Sequence, residues 1–289
     1  MIKKLIILIL VVALVLFGTW KGLTQYQVNI ETTGGEAEKV SAVPGLYKTG
    51  SNYTVMLKSW DELVSEGTIP VIDGVIDVIA DGASVAGDLV IPDSVTSIGD
   101  YAFHNCRGLT NVVIPDSVTS LGACAFCWCT NLTSVVIPDS VTSIDYMAFD
   151  ECTSLTSVVI GDGVTSIGYR AFSYCTSLTS VVIGDGVTGI KDNAFEYCTG
   201  LTNVEIGSGV TKIGKYTFQG CSNLSSITIP ASVTSIGYSA FSYCTGLTSI
   251  AFDGTTARWT AISNGDNWNQ YVPATEVICS DGVVALNAW

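Results

Sequence analysis

Cysteine and aspartate are the residues in this chain with the most chemistry to offer. Cys124, Cys127 and Cys129 form a C-x-x-C-x-C cluster of the kind whose thiolates take a soft metal, although no fourth ligand accompanies them. The full set of ten cysteines would suggest disulfides in an oxidising compartment. Asp93, Asp116, Asp139, Asp162 and Asp185 form a row of carboxylates that would gather Ca²⁺ if they were stacked. General acid–base chemistry has little to work with, because His104 is the single histidine. No nucleophile elbow, H-E-x-x-H, Walker loop or paired-carboxylate constellation is present, so the chain reads as a non-enzyme without a cofactor.

Spacing absorbs most of these signals into architecture. Phe103, Phe126, Phe149, Phe172, Phe195, Phe218 and Phe241 recur every 23 residues, which is the signature of a solenoid. Cysteine follows each by three residues, from Cys106 to Cys244, and leucine follows three later, from Leu109 to Leu247. Seven cysteines therefore share one interior column, where stacked parallel side chains do not readily supply the dihedral a disulfide needs. They read as buried free thiols that pack as small hydrophobes and bond weakly to turn backbone. Cys129 belongs to that column, which leaves a metal cluster and simple repeat drift as the two readings of Cys124 and Cys127. Each aspartate of the row follows Pro or Gly and precedes Ser or Gly, which is turn chemistry. Gly161, Gly184 and Gly207 open Gly-x-Gly pieces that are repeat turns as well.

The elements that must position these columns are short. In each unit a stretch such as Leu132–Ile137 reads as a strand, with Val135 and Ile137 turned to one side and Ser134 and Val136 to the other. A second stretch, Val141–Ile144, gives way to an Ala-Phe pair that suits a tight turn or a single helical turn. Each repeat is then one coil of a right-handed ribbon. A lone coil cannot bury enough apolar surface to offset an ordering entropy of about 1–2 kcal/mol per residue. Stacking places Phe on Phe, Cys on Cys and Leu on Leu, with the alanine before most of the phenylalanines leaving room beside the rings. Thr217 interrupts that alanine column and marks an expected soft point.

The V-T-S-I-G, A-F-x-x-C and L-T-x-V-x-I-P elements resemble the Treponema pallidum type of leucine-rich repeat found in BspA-like bacterial surface proteins, from Leu89 to about Phe252. The resemblance implies a leucine-rich repeat solenoid, mainly β, with about seven coils of short strands and single helical turns, capped at both ends. It also implies cell-surface display and adhesion to host proteins or other cells. No functional residue carries over, since the shared motif consists of core and turn residues.

The remaining organisation follows from composition. Residues 1–21 read as a signal anchor or signal peptide: Met-Ile-Lys-Lys precedes an uncharged run from Leu5 to Trp20. The anchor would hold the repeats outside the cell, and cleavage near Gly18 or Thr19 would release them. Residues 22–44 form a stalk, 45–87 an N-terminal cap, 88–252 the repeats and 253–289 a C-terminal cap. In the first cap Tyr47, Tyr53 and Val55 suggest a hairpin, and Ser59 to Val64 a capped helix start. A formal charge of −14 disfavours nucleic acid as a partner.

Two outward columns are candidates for recognition of a surface protein on a host or neighbouring cell. One is the strand face, with Ser134, Ser157 and Ser180 beside a run of valines. The other is an aromatic corner of Trp128, Tyr146, Tyr169, Tyr174, Tyr197, Tyr238 and Tyr243, whose alternative role is to cover the Phe column. The competing functional readings are a self-associating envelope or filament component, and a carbohydrate-binding module built on Trp259, Trp268 and Tyr271.

Overall fold

The computed structural model describes residues 46–49, 52–55, 71–72, 75–76 and 85–286. The chain divides into two compact units, residues 1–59 and 60–289. In the first, Leu46–Thr49 pairs antiparallel with Asn52–Val55, the hairpin that Tyr47, Tyr53 and Val55 suggested. The apolar run, the stalk and the capped helix start lie outside the described residues.

In the second unit the described residues form a β-solenoid. Two-residue strands on one side, such as Ser143–Ile144 and Ser166–Ile167, build a ten-stranded sheet in which all pairs but the first are parallel. Longer strands on another side, such as Ser134–Ile137, Ser157–Ile160, Ser180–Ile183 and Asn203–Ile206, pair in parallel with a register of 23 residues. Val135 and Ile137 are buried and Val136 is exposed, as the alternation required.

The coil count is nine rather than seven, because the short-strand rungs continue one step into each segment read as a cap. Val75–Ile76 pairs in parallel with Ser97–Ile98, and Ser263–Asn264 with Ser235–Ile236. The last coil hides from a 23-residue period because it carries an insertion that includes α1 (Thr256–Thr260), the one α-helix among the described residues. Thr255 caps it, its hydroxyl accepting the Arg258 N–H at 3.3 Å. Beyond the insertion the pattern resumes: Phe241 N–H donates to the Trp268 carbonyl, and Trp268 meets the end of the Phe column with centroids 6.1 Å apart. Among the described residues no helix is long and apolar enough to cross a membrane.

The core consists of the predicted columns. Successive phenylalanine rings stack with centroids 5.0–5.4 Å apart and planes within 14°. All ten cysteines are buried and unpaired. From Cys129 to Cys244, each column thiol donates to the carbonyl of the phenylalanine 26 residues earlier, at 3.0–3.3 Å. A small, weakly polar donor suits a column that is dry yet lined with turn carbonyls. Thr217 is no open defect, since its hydroxyl donates to the Gly214 carbonyl at 2.9 Å.

The corners are successions of tight turns, the first of the two expected forms. Two residues in each corner take left-handed backbone, among them Arg170 at φ 55° and Tyr174 at 57°. Intervening N–H groups close turns within the coil, as from Ala171 to Gly168 O and from Ser173 to Arg170 O. The others turn along the stack: Arg170, Phe172 and Tyr174 N–H donate to the carbonyls of Asp192, Ala194 and Glu196 in the next coil. The corner is thus a third inter-coil ladder, and it satisfies backbone groups that a lone helical turn would leave open.

Candidate binding surface

The outward side of the longer strands is built by the β alternation itself. Ser134, Ser157 and Ser180 stand in register, half-buried, next to Val136, Val159 and Val182. Neighbouring hydroxyls are already engaged. The threonines before these serines donate to the carbonyl of the corresponding threonine one coil back, as in Thr156 to Thr133 O at 2.9 Å and Thr179 to Thr156 O at 2.9 Å. Beside the half-buried serines this face presents apolar surface: Val90, Val113, Val136 and Val159 are all exposed.

At the end of each strand stands the aspartate row. Asp139 Oδ1 accepts the N–H of Asp162 at 2.8 Å, Asp162 Oδ1 that of Asp185 at 2.9 Å, and Asp185 Oδ1 both the N–H and the hydroxyl of Ser208. The turn reading is correct in kind, but the carboxylates of Asp139, Asp162 and Asp185 cap the next coil rather than their own turns. Among the described residues no group of three His, Cys, Asp or Glu side chains is placed to hold a metal ion, so Cys124, Cys127 and Cys129 do not close a site.

The aromatic corner divides into two columns. Tyr146 and Tyr169 stack at 5.5 Å, whereas Tyr238 meets Tyr216 edge-on at 5.3 Å. Tyr174 stacks on Tyr197 at 5.1 Å and Tyr243 lies 4.7 Å from Tyr271 in the second column, while Trp128 lies under the Arg107 guanidinium. Stacking covers ring faces and leaves edges and hydroxyls outward. Trp128, Tyr174 and Tyr243 are exposed and Tyr197 is half-buried, so the rings cover one another as well as the corner. In each coil, buried Cys and Leu separate the corner from the strand face, as Cys175 and Leu178 separate Tyr174 from Ser180. The two candidate columns are therefore distinct surfaces. Of the aromatics considered for carbohydrate stacking, Trp259 and Trp268 are buried and close the core, which leaves only Tyr271 exposed.

One charged group at the corner escaped the sequence reading. Asp150 is fully buried, with its Oδ1 3.4 Å from Arg170 Nη2, and Arg170 in turn lies 5.6 Å over the Tyr174 ring. Burial lifts the Asp150 carboxyl to about 6 against the opposing pull of Arg170. Burial also pushes the Cys124 and Cys127 thiols up, so neither is a ready thiolate. Asp150 gave no periodic signal because its column reads His104, Cys127, Asp150, Ser173 in successive coils.

A family model described as the BspA type leucine-rich repeat region matches residues 86–201 and 165–264. Among solved structures the chain is similar to a leucine-rich repeat protein from Bacteroides ovatus, at 25% identity and a TM-score of 0.54, over 83% of this chain and 63% of that one. It is also similar to a leucine-rich repeat protein from Eubacterium ventriosum, at 24% identity and a TM-score of 0.50, over 67% of this chain and 46% of that one. A third is the leucine-rich repeat protein of T. pallidum, at 25% identity and a TM-score of 0.48, over 66% and 77% of the two chains. The chain therefore spans less than two thirds of the Bacteroides and Eubacterium proteins. No curated protein matches it.

Proposed function

Because the chain belongs to the BspA-type leucine-rich repeat family, we propose that it is a non-catalytic protein-binding module displayed at the cell surface, where it adheres to a protein of a host or neighbouring cell. The observation that carries this reading is the column of exposed valines on the strand face. The alternation that buries Val135 and Ile137 leaves the outward position free for any polar residue. Valine there adds nothing to the core and keeps apolar area in water, which a binding partner would remove. The edges and hydroxyls of Tyr174, Tyr197 and Tyr243 form a second, smaller contact surface at the corner. Display outside the cell rests on the Lys-Lys pair and apolar run at the amino terminus.

The test compares adhesion of the full-length protein to candidate cells with that of two triple variants, Val113→Ser with Val136→Ser and Val159→Ser, and Tyr174→Ser with Tyr197→Ser and Tyr243→Ser. The strand-face variant should lose most adhesion and the corner variant part of it, with the strand-face variant still unfolding cooperatively and only modestly less stable. Full adhesion by both variants would sink the proposal.

A further inference from the structure

The valine column does not stand alone. Val90, Val113, Val136, Val159 and Val182 are each followed three residues later by a member of the aspartate row, Asp93 to Asp185. The two columns also stop together: in the next coil Glu205 takes the valine position and Ser208 the aspartate position. A core requirement would not end both at one coil, because the buried Phe, Cys and Leu columns run on through Phe218, Cys221 and Leu224. Over these coils the valines reach 60%, 48%, 60% and 44% exposure at positions 90, 113, 136 and 159. From residue 86 to 190 the chain has ten acidic residues and only two basic ones, Arg107 and Arg170. Both bases are held against aromatic rings at the corner, away from this strip. Asp139 and Asp162 each give only Oδ1 to a neighbouring amide, and that bond leaves the charge in place.

We propose that the valine and aspartate columns form one docking strip for a cationic amphipathic helix of a partner protein, lying along the solenoid axis. This proposal rests on the strand-face reading above and names the partner's chemistry. Spacing selects a helix. Parallel strands repeat at about 4.8 Å, close to the 5.4 Å pitch of an α-helix, so one helical turn meets one coil. An extended segment along the axis repeats every ~6.7 Å and falls out of step after two coils, whereas one laid parallel to the strands would touch only a coil or two. Four steps between five coils span ~19 Å, which is the length of a helix of about 13 residues. Apolar side chains at i, i+3 or i+4, and i+7 would cover the valines. Lysine or arginine on the flank facing the turns would meet the carboxylates, which stand ~10 Å further along the strands.

The probe is an 18-residue leucine–lysine peptide with leucines at helical spacing, titrated against the full-length protein by fluorescence anisotropy. A peptide of the same composition with alternating leucine and lysine is the control. The helical peptide should bind at least tenfold more tightly than the alternating one. Val113→Ser with Val136→Ser and Val159→Ser should weaken it at least tenfold. Asp116→Asn with Asp139→Asn and Asp162→Asn, which keeps the Oδ1 acceptors of Asp139 and Asp162, should weaken it similarly and flatten its salt dependence. Asp100→Asn with Asp145→Asn and Asp192→Asn removes the same charge on the other side of the coil and should change binding less than twofold. Equal weakening by this last set, or equal binding of the two peptides, overturns the proposal by reducing it to bulk charge attraction. If the peptide fails to bind while the valine variant still loses cell adhesion, the helical partner is wrong and the strand-face reading stands. If the valine variant changes neither, both fall.

Discussion

Replacing Asp150 by asparagine probes the electrostatics of the corner, and the burial of Asp150 beside Arg170 sets the expected sign. Burial raises the folded-state carboxyl from 3.8 to about 6, with Arg170, 3.4 Å away, pulling the other way. Between those values the folded protein holds a proton that the unfolded chain has released. The contribution of Asp150 to stability is therefore most favourable near pH 4, falls as pH rises towards 6, and remains as a constant penalty above about pH 7. A gap of about two pH units corresponds to ~3 kcal/mol in a dry site, and solvent around the partly exposed Arg170 reduces this to ~1–2 kcal/mol. Asparagine keeps the shape and removes the charge. The pairing with Arg170 is already contained in the net value of about 6. Asp150→Asn should thus stabilise the protein by ~1–2 kcal/mol at pH 8 and change it little at pH 4. Urea midpoints of both proteins from pH 4 to 8 give the difference curve, in which every other carboxylate cancels. A variant that is less stable at pH 8, or a difference that does not vary with pH, would show that Arg170 holds Asp150 as a stabilising ion pair and would refute the reasoning.

Three further outcomes follow from the stacked geometry. Iodoacetamide at pH 8.5 should leave Cys152, Cys175, Cys198 and Cys221 unlabelled in the folded protein, because burial pushes each thiol well above its ordinary range; rapid labelling seen by peptide mass would contradict the sealed column. Gly186→Ala should cost ~2–3 kcal/mol, since a Cβ there would run into the Asp162 carbonyl oxygen, whereas Gly189→Ala, with nothing within 4 Å, should stay within ~0.5 kcal/mol in the same denaturation assay. Tyr174→Gly and Tyr174→Ala both lose the stack on Tyr197, but at φ 57° the glycine variant should be the more stable by ~1 kcal/mol; equal melting temperatures would show that the left-handed backbone there is relaxed.

The parts of the fold that were legible in the sequence are those that every coil repeats. Phe103 to Phe241, the cysteines and the leucines were readable because a continuous core tolerates one residue type per column. The corner ladder was not readable, because backbone holds it. Its first left-handed position carries Tyr101, Cys124, Met147, Arg170 and Asn193 in turn, with no glycine to signal positive φ. The ninth coil was missed because an insertion displaces Trp268 from the expected interval. Asp150 was missed because it occurs once where a period averages. The strand face was legible as a surface, but the ties of its hydroxyls were not, since Thr133 and Thr156 donate to carbonyls one coil back.

Backbone strain separates the two candidate surfaces. The second left-handed position of the corners carries Trp128, Tyr174, Tyr197, Tyr243 and Tyr271, although Gly220 shows that glycine fits there at φ 72°. A bulky residue in this conformation costs ~1–2 kcal/mol, so each ring must gain something in return. For most of them the gain is internal. Tyr174 and Tyr197 stack at 5.1 Å, Tyr243 and Tyr271 pack at 4.7 Å, and such pairs contribute ~0.5–1.5 kcal/mol. Contacts of that size account for the tyrosines without a ligand. The outward valines also pair across the strands, Val136 with Val159 and Val159 with Val182, but on unstrained backbone, and Val136 and Val159 still keep much of their surface in water. The strand face is therefore the surface on which the proposed partner is sought first, and the corner comes second.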